Sequence, residues 1–199
     1  MKIAILGGSF NPPHFGHLLV AEQIIGFNGI EEVWLMPCFI HPLGKKLAPA
    51  KDRLKMVKML ENKNIKVSLF EIRRRKISYT IDTLETISKK YSQHHFYWII
   101  GSEQIKEFKK WRNYQELVKK YNFIVFPRDI IKPKEIIDEL KKFFGKKAYT
   151  NFLPFFNQKM IVSNISSSMI RERIKKGQEI KYFVPEKVEF YIKKKKLYQ

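Results

Sequence analysis

Cysteine is nearly absent: Cys38 is the only one in 199 residues. That excludes an intrachain disulfide framework and a zinc site built on several thiolates, and it leads us to expect a reducing, cytoplasmic setting. Long apolar runs are missing too. None approaches the roughly 20 residues a membrane-spanning helix needs, so a soluble protein without a membrane partner is expected. The opening MKIAILGGSF breaks into Gly-Gly and Asn-Pro-Pro too early for a secretory leader and reads as a strand and turn. Acidic residues are scarce, 19 against 39 Lys plus Arg, for a formal net charge of +20. Such a field attracts anions, nucleotides and nucleic acids among them. Its only dense clusters, Arg73-Arg74-Arg75-Lys76 and Lys193 to Lys196, carry no interleaved aromatics. A lysine-heavy, solvated surface accounts for most of the surplus, and specific nucleic-acid binding is not expected. Internal repeats and low-complexity linkers are also lacking, so residues 1–199 are read as a single domain with a helical C-terminal segment from about residue 166.

Hydrophobic residues make up 44% of the chain and aromatics 14%, enough for a sizeable core without metal or disulfide. Short β-branched runs alternate with stretches of helical period. The predicted strands are Lys2 to Leu6, Val33 to Pro37, Ile65 to Phe70, Phe96 to Ile100, Phe123 to Phe126 and Met160 to Val162. The predicted helices are His17 to Ile25, Asp52 to Leu60, Thr80 to Tyr91, Tyr114 to Tyr121, Lys134 to Phe144, Ser168 to Lys175 and a last one from Pro185, a residue suited to a first helical turn. Gly145 to Asn157 reads as an aromatic-rich loop. This alternation predicts an α/β fold of Rossmann-like, doubly wound type, a mostly parallel sheet with helices on both faces.

The strongest chemical signal follows the first strand directly: Gly7-Gly8-Ser9-Phe10-Asn11-Pro12-Pro13-His14-Phe15-Gly16-His17-Leu18. Ligands of open α/β sheets bind at the carboxyl ends of strands, so the position suits a site. Gly7 and Gly8 allow close backbone approach to phosphate oxygens. His14 and His17, three apart on an opening helical turn, share one face near the positive end of the helix dipole. With Gly16 leaving room for a phosphate chain, the imidazoles can donate to charge developing on phosphoryl oxygens. Late in the chain, Ile165-Ser166-Ser167-Ser168-Met169-Ile170-Arg171 offers a serine helix cap and an arginine one turn in, both able to meet an anion. A lone Gly-Gly turn or a serine cap would be unremarkable packing; strand, Gly-Gly-Ser-Phe, proline pair and His-x-Gly-His in one order are much harder to obtain that way.

The block GGSFNPPHFGHL resembles the GGTFDPxHxGHL motif of the adenylyltransferase superfamily related to class I aminoacyl-tRNA synthetases. Residues 165–171 are similar to its ISSTxIR element. Within that superfamily the resemblance to bacterial nicotinate mononucleotide adenylyltransferases runs almost end to end. It includes Ser78-Tyr79-Thr80-Ile81-Asp82-Thr83-Leu84, Gly101 with Trp111 ten residues on, and the closing Phe183-Val184-Pro185 to Leu197-Tyr198 pattern. It implies ATP contacts at Gly7, Gly8, Ser9, Phe10, Gly101, Glu103, Ser166, Ser167 and Ser168, with Glu103 standing where the family commonly has Asp. Ser78, Tyr79, Thr80 and Trp111 would meet the pyridine nucleotide. His14, His17, Arg171 and either Lys45 or Lys46 would act on phosphates. His41 is left as a loop residue, and Asn11 replaces a frequent Asp.

What the resemblance implies is adenylyl transfer from ATP to nicotinate mononucleotide in NAD biosynthesis, with Mg2+ carried on the triphosphate rather than held in a dedicated carboxylate cage. The substrates would be small molecules, and an oligomer is open. Two other readings stand beside it: a superfamily enzyme using nicotinamide mononucleotide or pantetheine phosphate, and, more distantly, an RNA-binding module on a vestigial nucleotide fold.

Overall fold

The computed structural model describes residues 1–128 and 133–199, the side chains of 146–149 excepted. In chain order its elements are β1 (Lys2–Gly8), α1 (Phe15–Ile24), β2 (Glu32–Pro37), α2 (Ala50–Lys58), β3 (Ile65–Val67), α3 (Phe70–Arg74) and α4 (Thr80–Lys90). The second half adds β4 (His95–Gly101), α5 (Tyr114–Lys120), β5 (Asn122–Phe126), α6 (Pro133–Ala148), β6 (Phe152–Pro154), α7 (Ser167–Lys175) and α8 (Glu186–Lys195). The six strands form one sheet in the order β3-β2-β1-β4-β5-β6, and each adjacent pair is parallel.

The period-2 alternation of the strands sorts their side chains onto two faces. Ala4, Tyr97, Ile99, Ile124 and Phe126 join one core cluster with Ala21 and Ile24 of α1, Met56 and Val57 of α2, Ile170 of α7 and Val188, Tyr191 and Ile192 of α8. Ile3, Ile5, Phe96, Trp98, Ile100, Phe123 and Val125 join the other with Ile81, Leu84 and Ile87 of α4, Leu117 and Val118 of α5, and Ile136 and Leu140 of α6. Helices therefore cover both faces, as a parallel sheet requires to bury both sides. The strand order reverses between β1 and β4, and the carboxyl ends of those two strands, at Gly7-Gly8 and Gly101, border a crevice. Much of the positive charge sits in the last turns of helices: Lys55 and Lys58 in α2, Lys89 and Lys90 in α4, Lys119 and Lys120 in α5, and Lys193, Lys194 and Lys195 in α8. There it complements the negative ends of the helix dipoles.

Two strand expectations need correction. Met160 to Val162 is not a strand; Ile161 is 57% exposed, and its backbone bonds instead to the Gln23 side-chain amide, its N–H donating to Oε1 at 2.6 Å and its carbonyl accepting from Nε2 at 3.0 Å. The sixth strand is β6, inside the segment 145–157 read as a loop. Three residues are too few to show a period, and Pro154 argues against a strand except at an edge, which is where β6 lies. Aromatic stacking holds it there: the Phe152 ring stacks on Phe123 at 5.1 Å and on Phe144 at 4.7 Å. The strand expected over Ile65 to Phe70 ends at Val67, because Phe70 already opens α3.

Gly7 illustrates how tightly the centre of the sheet is packed. A Cβ there would fall inside the Trp98 indole, a ring that is itself only 5% exposed. Gly7→Ala is therefore expected to cost about 1–3 kcal/mol through overpacking, read as a lowered urea midpoint with an unchanged slope; a midpoint equal to the wild type would show that Trp98 can move aside.

Candidate active site

The turn after β1 is fixed from behind, through its carbonyl oxygens. Arg53 of α2 donates from Nη1 to the Ser9 carbonyl at 2.8 Å. From α7, Arg171 donates from Nη1 to the Asn11 carbonyl at 2.8 Å, and Ser167 Oγ donates to the Pro12 carbonyl at 2.7 Å. Asn11, 3% exposed, accepts the Ala48 N–H on Oδ1 at 3.0 Å, so the amide that replaces a frequent Asp works as an acceptor in a structural bond. Phe10 holds a left-handed φ of 47°, uncommon for a bulky residue. It is 1% exposed, with its ring 4.7 Å from that of His17.

This scaffold presents the two histidines at the start of α1. Their ring centroids lie 3.8 Å apart. The His14 N–H donates to His17 Nδ1 at 3.2 Å, so the proton of a neutral His17 sits on Nε2. Burial, then the positive charge of Arg128, lowers the His14 pKa to about 3. Burial, His14 and Arg128 push His17 well below the ordinary value. Both rings are thus neutral hydrogen-bond donors near pH 7. His14 Nδ1 is buried without a hydrogen-bond partner, an orphan of the kind that marks a functional site. Gly16 is required by close packing: a Cβ would lie 2.9 Å from His14 Nδ1 and 3.2 Å from the Ile165 carbonyl. The glycine, which also lines the cavity, makes room for the His14 imidazole and for the close approach of the segment leading into α7.

A cavity of about 680 Å³ opens at the strand-order reversal. Of the residues singled out from the sequence, Gly7, Gly8, Ser9, His14, Gly16, His17, His41, Lys45, Ser78, Tyr79, Thr80, Gly101, Glu103, Trp111, Ser166 and Ser167 line it. Phe10, Lys46, Ser168 and Arg171 do not. Phe10 packs beneath His17, and Arg171 is engaged behind the turn, with Nη2 also donating to Ser168 Oγ at 3.2 Å. Ser166 Oγ is the N-cap of α7, accepting from Met169 N–H at 3.2 Å, as the serine run suggested. Trp111 stacks on Phe108 at 4.8 Å with 14° between planes, so the ring is both the edge of the core and part of the cavity wall.

Three further residues matter that sequence reading missed. Arg128, just beyond β5, lines the cavity and supplies the positive field felt by both histidines. Glu71 on α3, 3% exposed, accepts from Thr83 Oγ1 at 2.7 Å and from the Ser78 hydroxyl. Burial raises its pKa. Ser78 Oγ in turn accepts the Phe39 N–H at 3.1 Å, so Glu71 ties the 78–83 segment to the end of β2. Arg53 is the third. Each is a single charged residue in a helical or post-strand stretch, with nothing in spacing to set it apart from the exposed lysines around it.

Fold and site together define a nucleotidyltransferase: a doubly wound parallel sheet with a glycine turn and paired imidazoles at its switch point. A cytidylyltransferase-like family model matches residues 5–173. The chain is 38% identical to a protein of Caldicellulosiruptor bescii named as a nicotinate-nucleotide adenylyltransferase, across 100% of both sequences. It is 36% identical to one of the same name from Desulfitobacterium hafniense, over 100% of this chain and 96% of that protein. Among solved structures, Plasmodium falciparum nicotinic acid mononucleotide adenylyltransferase complexed with NaAD matches with a TM-score of 0.81 at 28% identity, covering 99% of this chain and 97% of that one. The chain belongs to the cytidylyltransferase-like family and, within it, to the nicotinate-nucleotide adenylyltransferases.

The neutral histidines give the free protein an acid-sensitive stability. Above pH 6.5, the ordinary histidine value, folded and unfolded states are alike in charge at these sites; as pH falls from 6.5 toward about 3, the unfolded chain takes up protons that folded His14 refuses. The stability present above that window is lost through it. His14→Gln is expected to shrink the difference in urea midpoint between about pH 7 and about pH 5, and an undiminished difference would mean that His14 is protonated in the fold.

Proposed function

We propose that this chain transfers the adenylyl group of ATP to the phosphate of nicotinate mononucleotide, forming nicotinate adenine dinucleotide and pyrophosphate. The observation that carries the proposal is the pair of neutral imidazoles at the α1 N-terminus. They open into one cavity shared with the 78–80 segment and Trp111, the positions that resemble the family's pyridine site. A phosphate oxygen of the mononucleotide attacks the α-phosphorus of ATP in line, one P–O bond forms, and the bond to the β-phosphate breaks. The nucleophile is already ionised near pH 7, so no general base or covalent intermediate is needed. Catalysis comes from positioning and from stabilising charge on the phosphoryl oxygens.

In this reading His14 and His17 donate N–H bonds to the α-phosphate oxygens, and the N-terminus of α1 adds its dipole. Lys45 and Arg128 hold the outer phosphates as cations. Arg171 and Ser167 act at one remove, by holding the Asn11 and Pro12 carbonyls so that His14 stays in place. Gly101 and Glu103 border the adenosine side. Mg2+ is taken as bound to triphosphate oxygens and arriving with the substrate; among the described residues no three His, Cys, Asp or Glu side chains come together as a cage. Tyr79, stacked beneath the Arg112 guanidinium at 4.7 Å, and Trp111 form the aromatic walls offered to the pyridine ring.

The test is pyrophosphate and dinucleotide release from ATP with nicotinate mononucleotide, nicotinamide mononucleotide and pantetheine phosphate in parallel. Turnover with the first at the highest kcat/KM is expected, and release only with pantetheine phosphate would sink the reading. His17→Ala should lower kcat by about 10²- to 10³-fold, the loss typical of one donor to a transition-state oxyanion. A folded variant with near-normal kcat would remove His17 from the phosphate site. Trp111→Ala should weaken the mononucleotide far more than ATP, by the ~1–3 kcal/mol of a lost stacking platform. Equal effects on the two KM values would mark Trp111 as core alone.

A further inference from the structure

Arg53 is the most buried charge among the described residues. It is 1% exposed, and each of its three guanidinium nitrogens donates to a neutral carbonyl. Nε donates to the Ala48 carbonyl at 3.0 Å, Nη1 to the Ser9 carbonyl at 2.8 Å and Nη2 to the Phe39 carbonyl at 3.0 Å. The Cys38 sulfur lies 4.0 Å from Nη1. No carboxylate pairs with it among the described residues. Its neighbour Asp52 is turned to the Tyr191 hydroxyl instead, accepting at 2.8 Å.

A buried cation without an anion is costly, and hydrogen bonds to carbonyls repair only part of the lost hydration. The three carbonyls could be satisfied by neutral donors, so hydrogen bonding alone does not explain why a charge is kept here. Its placement does. Ser9 belongs to the glycine turn, Phe39 to the loop after β2, and Ala48 to the entry of α2. Arg53 thus stands directly behind the loops that wall the phosphate end of the cavity. Its field reaches the lining groups: burial raises the Cys38 thiol and Arg53 opposes that rise, while burial, Lys45 and then Arg53 disfavour the charged form of His41, and both residues line the cavity.

We propose that Arg53 is a positioning residue whose buried charge is compensated by the substrate's phosphates across the Gly8-Ser9 turn, so that the free protein carries an unpaired cation and the complex a neutralised one. The proposal rests on the adenylyl-transfer reading for the identity of the anion. In the low-dielectric region behind the turn, screened from salt, one charge can act through the peptide layer without touching substrate. The cost is borne by the free enzyme, and the gain appears only on binding.

Two variants separate charge from strut. Arg53→Lys keeps the charge, and Arg53→Gln keeps amide donors for the carbonyls while removing it. Calorimetric affinities for ATP and for inorganic pyrophosphate are compared with melting temperatures of the unliganded proteins. We expect the Gln variant to bind both anions at least tenfold more weakly than the Lys variant, equivalent to about 1.4 kcal/mol or more, and to show a smaller melting shift on ATP addition whatever its unliganded melting temperature. Affinities within tenfold of each other would reduce Arg53 to a strut and overturn the proposal. Should only one variant fold, it is compared with the wild type: tenfold weaker binding by Gln, or binding within tenfold by Lys, supports the charge, and the opposite result rejects it. Failure of both to fold would place the role in folding and reject it as well. A wild type that binds pyrophosphate yet releases none from ATP plus any of the three acceptors would sink the function reading while leaving the Arg53 comparison valid.

Discussion

The turn between β1 and α1 is held by its carbonyl oxygens, and the rest of the site depends on that restraint. Ser9, Asn11 and Pro12 each give their carbonyl to a side chain from α2 or α7. Backbone acceptors in a buried turn must find donors, and here the donors are side chains more than 40 residues away in sequence. The consequence is functional. With the carbonyl side of the turn committed to the protein, His14 and His17 are left at the cavity with a fixed tautomer at His17 and an unpartnered nitrogen at His14.

That restraint also explains the weight of the C-terminal helices in a fold whose sheet is complete without them. Ser167 and Arg171 of α7 bracket the turn, α8 packs Val188, Tyr191 and Ile192 into the same core as α1 and α2, and Tyr191 fixes Asp52 on α2. Phe15 N–H donates to the Phe183 carbonyl at 3.0 Å, closing the loop before α8 onto the start of α1. Residues at the two ends of the chain thus converge on one turn. The charges at the site divide by accessibility. Lys45 and Arg128 line the cavity directly, whereas Arg53 and Arg171 sit behind it and speak through the backbone.

Electrostatically, the site is poised for anions while its histidines stay neutral. Arg128 and burial act in the same direction on both rings, so the free enzyme presents donors without paying for two more buried cations. Glu71 is the counterexample, a carboxyl whose burial raises its pKa and whose bonds to Ser78 and Thr83 organise the opposite wall.

Much of this was legible in the sequence. The glycine turn, the His-x-Gly-His spacing, the Ser166 cap and the alternation of strand and helix are local patterns, and local patterns are set by backbone sterics, capping and hydrophobic period. They pointed to the doubly wound sheet and to Gly7, Gly8, Ser9, His14, Gly16, His17, Ser166 and Ser167 of the cavity lining, and the family resemblance added Lys45, Ser78, Tyr79, Thr80, Gly101, Glu103 and Trp111. Tertiary structure decided the remainder. Arg171 donates to the Asn11 carbonyl behind the turn; Gly16 gives space to the His14 imidazole; β6 is held by the stacking of Phe123 and Phe144 on Phe152. Arg53, Glu71 and Arg128 look like any other charged residue in a lysine-rich chain. Their significance lies in burial and in partners contributed by distant segments, quantities that come into being only when the chain closes on itself, whereas motifs and periods are properties each segment carries alone.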